Sequence, residues 1–378
     1  MLSLFGVLTY KRWVFRHEDC HADFSPLDLG LGRVRRVTGG VASLVCHYVA
    51  DLPPRRAQKN LERDFGLRMS PGAVEDIGKE IGERLRNKRK LREEQYLEPV
   101  SPDRPAPPAE PITEGEVHVT EVDAVKVRFV KEEGGWHDVK VGLSDRMGLT
   151  LHPRTGVRRL EGPRRYVAEL TDADSFGPRL KALALETGLR QAIEAVFLGD
   201  GADWIDKMHR EYFSWTERIL DAYHVESHLH DMAEAIHGEG VLAAKKMVEK
   251  MKDYLYAPGG ADKVCAAIRR AIKRRQPAEK NRHTAELVCD YIRRHSKALD
   301  YARFRGKNWI IGSGAIEGGG CNTFIEDRFK RAGQCWTKIG FHKILALREA
   351  SESEQWDRVV YVLRNYPCQK PRKFKQAV

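Results

Sequence analysis

Cysteine is sparse and unpatterned in this chain: seven residues, at positions 20, 46, 265, 289, 321, 335 and 368, odd in number and without a C-x-x-C pair. Neither a disulfide framework nor a cysteine-rich zinc site is indicated, and the cytosol is the expected compartment. Long apolar runs are missing as well. Stretches such as 41–49 are broken by polar residues well before the ~18 needed to cross a bilayer. With 31% charged residues and a mean hydropathy of −0.52, a polytopic membrane protein is excluded. Met1-Leu2-Ser3-Leu4-Phe5 has neither a basic run before it nor a small-residue cleavage site after it, which argues against a secretory signal. No internal repeat is found.

What the chain does have is size, an apolar content of 42% and positive charge. Its 378 residues exceed the roughly 100–200 of one domain, so two or three are expected. The apolar fraction rules out a wholly disordered chain. Lys and Arg total 65 against 54 Asp and Glu, a formal charge of +11. That excess favours a polyanionic partner, and nucleic acid is the commonest soluble one.

Six prolines fall in 98–115, which has no apolar periodicity and reads as an extended linker. Before it, 1–97 reads as a small, mostly helical N-terminal domain. A short strand-rich piece at 8–16 leads to helices over 41–91, broken at Leu52-Pro53-Pro54 and at Gly66-Leu67-Arg68-Met69. Ser70 and Pro71 supply an N-cap and a first-position proline to a helix carrying Val74, Ile77, Ile81 and Leu85 at helical spacing. Helix, short Gly turn, helix is the layout of a DNA-binding helix-turn-helix, and equally of an ordinary helical hairpin. The basic tail Arg84-Leu85-Arg86-Asn87-Lys88-Arg89-Lys90 fits a DNA contact or a solvated face.

After the linker the texture changes to strands. Val117, Val119, Val125, Val127 and Phe129 share one parity, and 136–144 supplies a third run after the Gly134-Gly135 turn, so three antiparallel strands open this domain. A helix at 176–189, a short buried strand at 195–199, a helix at 204–213 and a strand at 218–221 follow. The order βββαβαβ over 116–222 predicts an α/β fold with a mixed sheet. Residues 223–308 read as a basic helical segment, with fourteen Lys and Arg against four acids between Lys263 and Lys307. A last helical region covers 309–365. Arg269, Arg270, Lys273, Arg274 and Arg275 are expected to carry much of a nonspecific DNA affinity.

Three carboxylates stand where a metal could be held. Asp123 has the strand parity of Val119 and Val125, so it faces the covered side of the sheet, where an unpaired charge is costly. Asp200 ends a strand and lies between Gly199 and Gly201, and carboxyl ends of strands are where α/β sheets place ligands. In a βββαβ unit the first and fourth strands are neighbours, so the two acids would face each other. Two divalent ions roughly 3.5–4 Å apart, activating a water or hydroxyl for in-line attack on a phosphodiester, suit that geometry. Glu317 is the third candidate: Gly318-Gly319-Gly320 after it cost a helix about 1 kcal/mol each relative to Ala, which implies a close backbone approach. The plainer alternatives are a hairpin end for Asp123, a turn residue for Asp200 and a first-turn acid for Glu317.

Gly199-Asp200-Gly201-Ala202-Asp203-Trp204-Ile205, then Ile219-Leu220-Asp221-Ala222-Tyr223-His224-Val225-Glu226-Ser227-His228-Leu229, then 311–317 followed by Arg328-Phe329-Lys330-Arg331-Ala332-Gly333-Gln334-Cys335-Trp336, form three blocks in order behind a strand carrying Asp123. Over about 115–360 the chain resembles the ISKra-type bacterial insertion-sequence transposases, which are similar to the Mutator-like group of DDE enzymes. The resemblance implies a ribonuclease-H-like mixed sheet with a helical insertion at 223–308, and Asp123, Asp200 and Glu317 as catalytic residues and ligands of two Mg²⁺ or Mn²⁺ ions. It implies DNA strand cleavage and transfer, the element ends and target DNA as partners, a homo-oligomer on DNA, and a place at the nucleoid of the bacterial cytoplasm. Asp221 and His224 match its D-x-x-H element and are accessory to the site; as residues alone, they also read as a helix cap and its first turn. His224 and His228 are four apart, but the H-E-x-x-H arrangement is absent. Arg328, Lys330, Arg331 and Trp336 mix cations with an aromatic ring, as phosphate contact and base stacking require, Trp336 being equally a core anchor.

Two departures from the family stand out. Asp123-Ala124 replaces the usual Asp-Gly, and only His17, Cys20 and His21 precede Pro26-Leu27-Asp28 where relatives carry C-x-x-C, so no zinc knuckle is expected. Relatives commonly extend further upstream, so this chain is expected to be short at its N-terminus by comparison with the family. A decayed or repurposed transposase that only binds DNA and a metal-dependent nuclease that cuts without rejoining are the rival functions.

Overall fold

The computed structural model describes residues 1–16 and 23–365; His17, Cys20 and His21 lie outside the described residues. The N-terminal strands are two residues each: β1 (Leu2–Ser3) with β2 (Gly6–Val7), and β3 (Phe15–Arg16) with β4 (Asp23–Phe24). After the short α1 (Pro26–Gly30) come α2 (Gly39–Asp51), α3 (Pro54–Phe65) and α4 (Pro71–Leu97). Local chemistry sets their ends. Thr38 caps α2, Gly66 closes α3 in the left-handed region at φ 65°, and the Ser70 hydroxyl accepts from Ala73 N at 3.1 Å to start α4.

Past the linker run β5 (Val117–Arg128), β6 (Trp136–Leu151), β7 (Arg158–Leu160), β8 (Arg165–Glu169), α5 (Ala173–Glu186), β9 (Glu194–Gly199), α6 (Asp203–Tyr212) and β10 (Glu217–Leu220). They form a six-stranded sheet in the order β10-β9-β5-β6-β7, with β8 also paired to β6. β5 is antiparallel to β6 and parallel to β9, and β9 is parallel to β10. The fold is therefore α/β with a mixed sheet. Two strand expectations are corrected: the runs at 117–119 and 125–129 belong to one strand, continuous to Arg128, so 136–144 begins the second strand, and two further strands, β7 and β8, pair with it from beyond that run. β8 escapes a periodicity reading because four of its five residues are buried, leaving no alternation to see.

One face of the sheet packs on α5 and α6 through Val122, Phe197, Phe176 and Ile205. The opposite face carries two separate cores. Val117, Val119, Val196 and Leu198 pack with α7 (Ala222–His237), α8 (Leu242–Leu255), α9 (Gly260–Arg275), α10 (Glu279–Arg294) and α11 (Tyr301–Gly306). Val125, Val127, Val139 and Val141 pack with a π-helix (Ile316–Glu326), the three-residue α12 (Asp327–Phe329), α13 (Lys338–Glu352), α14 (Trp356–Asn365) and the N-terminal helices. Along β5 this face reads Val117, Val119, Glu121, Asp123, Val125, Val127, so the two acids fall where one core ends and the other begins.

The N-terminal helices are not a separate body. α2 and α4 share the second of those cores with β5, β6 and α13, and α4 buries Val74, Ile77, Ile81, Leu85, Arg84 and Arg89. The expected DNA-facing basic tail is thus corrected in part: Arg89 binds Glu169 at 2.7 Å and Glu349 at 2.6 Å, Arg86 binds Glu169 and Arg84 binds Glu80, while Lys88 and Lys90 stay exposed. Residues 98–115 do run without helix or strand, pinned where Glu110 N donates to Glu186 O at 2.8 Å and Tyr96 to Pro108 O. No helix of the described residues is long and apolar enough to cross a membrane.

Candidate active site

The strand registers bring the acids together. Glu121 is level with Leu198 on β9, and Gly199 with Leu220 on β10. Carrying both registers on by one or two residues sets Asp123, midway along β5 where its pairing with β9 stops, abreast of Asp200 and Asp221, which follow the carboxyl ends of β9 and β10. Each carboxylate is partly held by its own backbone. Asp123 Oδ1 accepts from Ala124 N at 2.7 Å and Asp200 Oδ1 from Ala202 N at 2.8 Å. Asp221, fully buried, caps α7 by accepting from Tyr223 N and His224 N. The second oxygens of the first two point elsewhere: Asp123 Oδ2 meets Cys321 Sγ at 3.5 Å, and Asp200 Oδ2 lies 3.9 Å from His224 Nε2.

Glu317 arrives from the far end of the basic helices. Ala222 N donates to Ile311 O, and Ser313 N donates to Asp221 Oδ1 at 3.0 Å, which fixes segment 311–313 against the cap of α7. Ser313 Oγ then donates to Glu317 Oε1 at 2.8 Å. The π-helix lies so close to the sheet that a Cβ on Gly319 would strike the Tyr166 hydroxyl and one on Gly320 would sit 3.2 Å from Val141. Gly319 and Gly320 thus meet the demand for close approach that the run's helix-breaking cost implied, whereas Gly318 does not, having nothing within 4 Å of an added Cβ. One ligand atom each from Asp221, His224 and Glu317 lie within 4.8 Å of one another.

Electrostatics mark the cluster as a place for cations. Burial raises the Asp123 carboxyl above its usual range, and the Asp200 charge raises it further. Burial also pushes Asp221 up, but the His224 side chain and the N–H groups of Ser313, His224 and Tyr223 outweigh it and hold Asp221 low. His224 Nδ1, 3.1 Å from Asp221 Oδ2, is raised to about 9 by that hydrogen bond, with Asp200 and Asp123 adding to the rise against its own desolvation. A protonated imidazole therefore balances the acids. Carboxylate oxygens beside one imidazole make a donor set that could hold a divalent ion. Asp221, Glu317 and His224 offer the tightest group of donors, with Asp200 3.9 Å from His224, and His224 could join a ligand set only after losing its proton.

Reading by residue type overlooked Glu121, Ser313, Cys321 and Tyr291. Glu121 had a signal, since it shares the parity of Asp123; Ser313 and Cys321 touch the acids only through the fold. Tyr291, from α10, lies so near Gly201 that a Cβ there would strike its ring, and its hydroxyl is buried without a partner.

No protein-family model matches the chain, and no curated protein does.

The expected DNA-contacting cations divide. Arg269, Arg270, Lys273, Arg274 and Arg275 on α9 are all exposed, and none forms an ion pair among the described residues. Lys330 is exposed and pairs with Glu326. Arg328 is corrected: only 1% exposed, it donates twice to Val49 O at 3.2 Å and stacks 4.9 Å over Trp336, and burial lowers its guanidinium to about 9. Arg331 donates to Asp327 O and, at 3.0 Å, to Asp51 O. Trp336 takes its core reading: Nε1 donates to Phe329 O at 3.1 Å and the ring packs 5.0 Å from Phe329. The block that follows Glu317 thus ties the π-helix to α2.

Proposed function

We propose that the chain is a DNA transposase of the DDE type, built on a ribonuclease-H-like core, that cleaves and transfers DNA strands with Mg²⁺ or Mn²⁺. The observation that carries this reading is the row Asp123, Asp200, Asp221 across three adjacent parallel strands, the last two at strand ends and Asp123 within β5, with Glu317 brought to its edge. The element order ββββαβαβ, in which β7 and β8 both pair with β6, and a basic helical segment between Asp221 and Glu317 support it.

Bound ions would supply Lewis-acid stabilisation of the charge that builds on a phosphodiester during in-line attack. Asp200, Asp221 and Glu317 would hold and orient them, Asp123 would complete the donor set, and His224 would balance the surplus negative charge when no ion is present. Ser313 orients Glu317, and the α9 cations would draw the DNA backbone to the site.

The test is strand cleavage of DNA carrying the flanking element ends, in Mg²⁺ or Mn²⁺. Asp200→Asn keeps size and hydrogen-bonding capacity but removes the charge that holds an ion. Cleavage should fall by orders of magnitude with Asp200→Asn or Glu317→Gln while DNA affinity stays nearly constant, and the double variant should be little worse than either. A wild type that binds this DNA and never cuts it would identify a DNA-binding protein instead. Full-rate cleavage by Asp200→Asn would show that other residues hold the metal.

A further inference from the structure

Glu121 takes no part in the ligand set above, yet it is a fully buried carboxylate in the face of β5 that bears Asp123. One of its oxygens is satisfied, since Oε2 accepts from Ile316 N at 2.8 Å. The other, Oε1, is buried without a partner. A buried acid with an unpaired oxygen costs stability, and a sequence optimised for packing would place an apolar residue there. Ile316 is the residue before Glu317 and the first of the π-helix, where backbone N–H groups lack partners within the helix itself.

We propose that Glu121 is a positioning residue that clamps the start of the π-helix to β5 and so sets where Glu317 stands relative to Asp123 and Asp221. The clamp has a second jaw, since Ser313 is held by Asp221 through its N–H and holds Glu317 through its hydroxyl. Together they attach the segment before Glu317 to the central strand and to the strand end after β10. Lower down, Cys321 on Asp123 keeps the same helix in register with β5. Losing the Glu121 jaw frees the Ile316 N–H and lets Glu317 drift from Asp221 and His224.

The inference rests on the metal-binding reading of the site, and a metal titration separates the two. Mn²⁺ binding to the full chain is followed through the EPR signal of the free ion, with melting temperature recorded for each variant. Glu121→Gln keeps an acceptor for Ile316 N–H and should bind Mn²⁺ as wild type does. Glu121→Met, similar in length but without an acceptor, should weaken binding by about ten- to a hundredfold, the usual effect of losing a partner that orients a ligand. If Glu121→Met does not fold, Glu121→Val, a good strand residue too short to reach Ile316, takes its place with the same expectation. Equal losses in the Gln and Met variants would make Glu121 a ligand and overturn the positioning role. A lower melting temperature with unchanged Mn²⁺ affinity would reduce it to a structural residue and also overturn it. A wild type with no Mn²⁺ affinity would overturn the metal-binding reading itself, and the inference with it.

Discussion

At the scale of single residues, burial decides how Glu121 responds to pH. Its carboxyl is raised from the ordinary 4.5 to about 8, by desolvation first, against the Ile316 N–H, with Asp145 and Asp221 adding to the rise. Between those two values the folded state binds more protons than the unfolded one, so the group costs stability progressively as pH rises through that window. Glu121→Gln removes this loss. Its melting temperature relative to wild type should therefore be higher at pH 8 than at pH 5 in metal-free buffer, and an equal difference at both would mean that the side chain does not titrate there. Alternation in 117–127 carries the signal that Glu121 shares a face with Asp123, although the reading by residue type passed over it. It said nothing of Ile316, 195 residues away, because a backbone N–H is the same in every residue and leaves no trace in the sequence.

Among the elements, those with their own punctuation were legible. Ser70-Pro71 started α4 and Asp221 capped α7 where residue chemistry put them, and the strands at Glu194–Gly199 and Glu217–Leu220 stood out as short apolar runs. What packing alone decides was not legible: β8 buried on both faces, Arg328 turned into the core, and α4 laid against α13. The last of these turns on Gly82, where a Cβ would fall on the backbone carbonyl of Lys343. A backbone atom cannot swing aside as a side chain does. Gly82→Ala should destabilise by about 1–3 kcal/mol through overpacking. Gly72→Ala, near the exposed start of the same helix with nothing within 4 Å of the added methyl, should be neutral or stabilise by about 0.4–1 kcal/mol through reduced freedom of the unfolded chain. Urea melts of both variants measure the contrast, and equal effects would mean that α4 and α13 do not meet so closely.

For the whole molecule, the charge excess becomes a question of where the cations stand. Many are consumed in holding the protein together: Arg86, Arg89 and Arg179 converge on Glu169, Arg348 pairs with Asp51 and Glu352, and Arg328 and Arg331 grip the backbone of α2. A net charge of +11 cannot tell those from free ones, since it counts a paired and an unpaired arginine alike. Arg269, Arg270, Lys273, Arg274 and Arg275 are different: one helix presents all five to solvent, with α9's apolar side, Val264, Cys265 and Ile268, buried against its neighbours. Each cation that neutralises a phosphate releases counterions, so the logarithm of the DNA binding constant falls with the logarithm of salt by about 0.9 per contact on a duplex. Replacing all five by Gln leaves the buried side of α9 untouched and should keep the fold. If three to five of them touch phosphates, the slope should fall by roughly 2.7–4.5 while the variants of Asp200 and Glu317 leave it where it was. Filter binding or fluorescence anisotropy on one duplex across a salt series reads both. A slope unchanged by the five substitutions would place the DNA on another face, where Arg55, Arg56 and Lys59 on α3 are exposed.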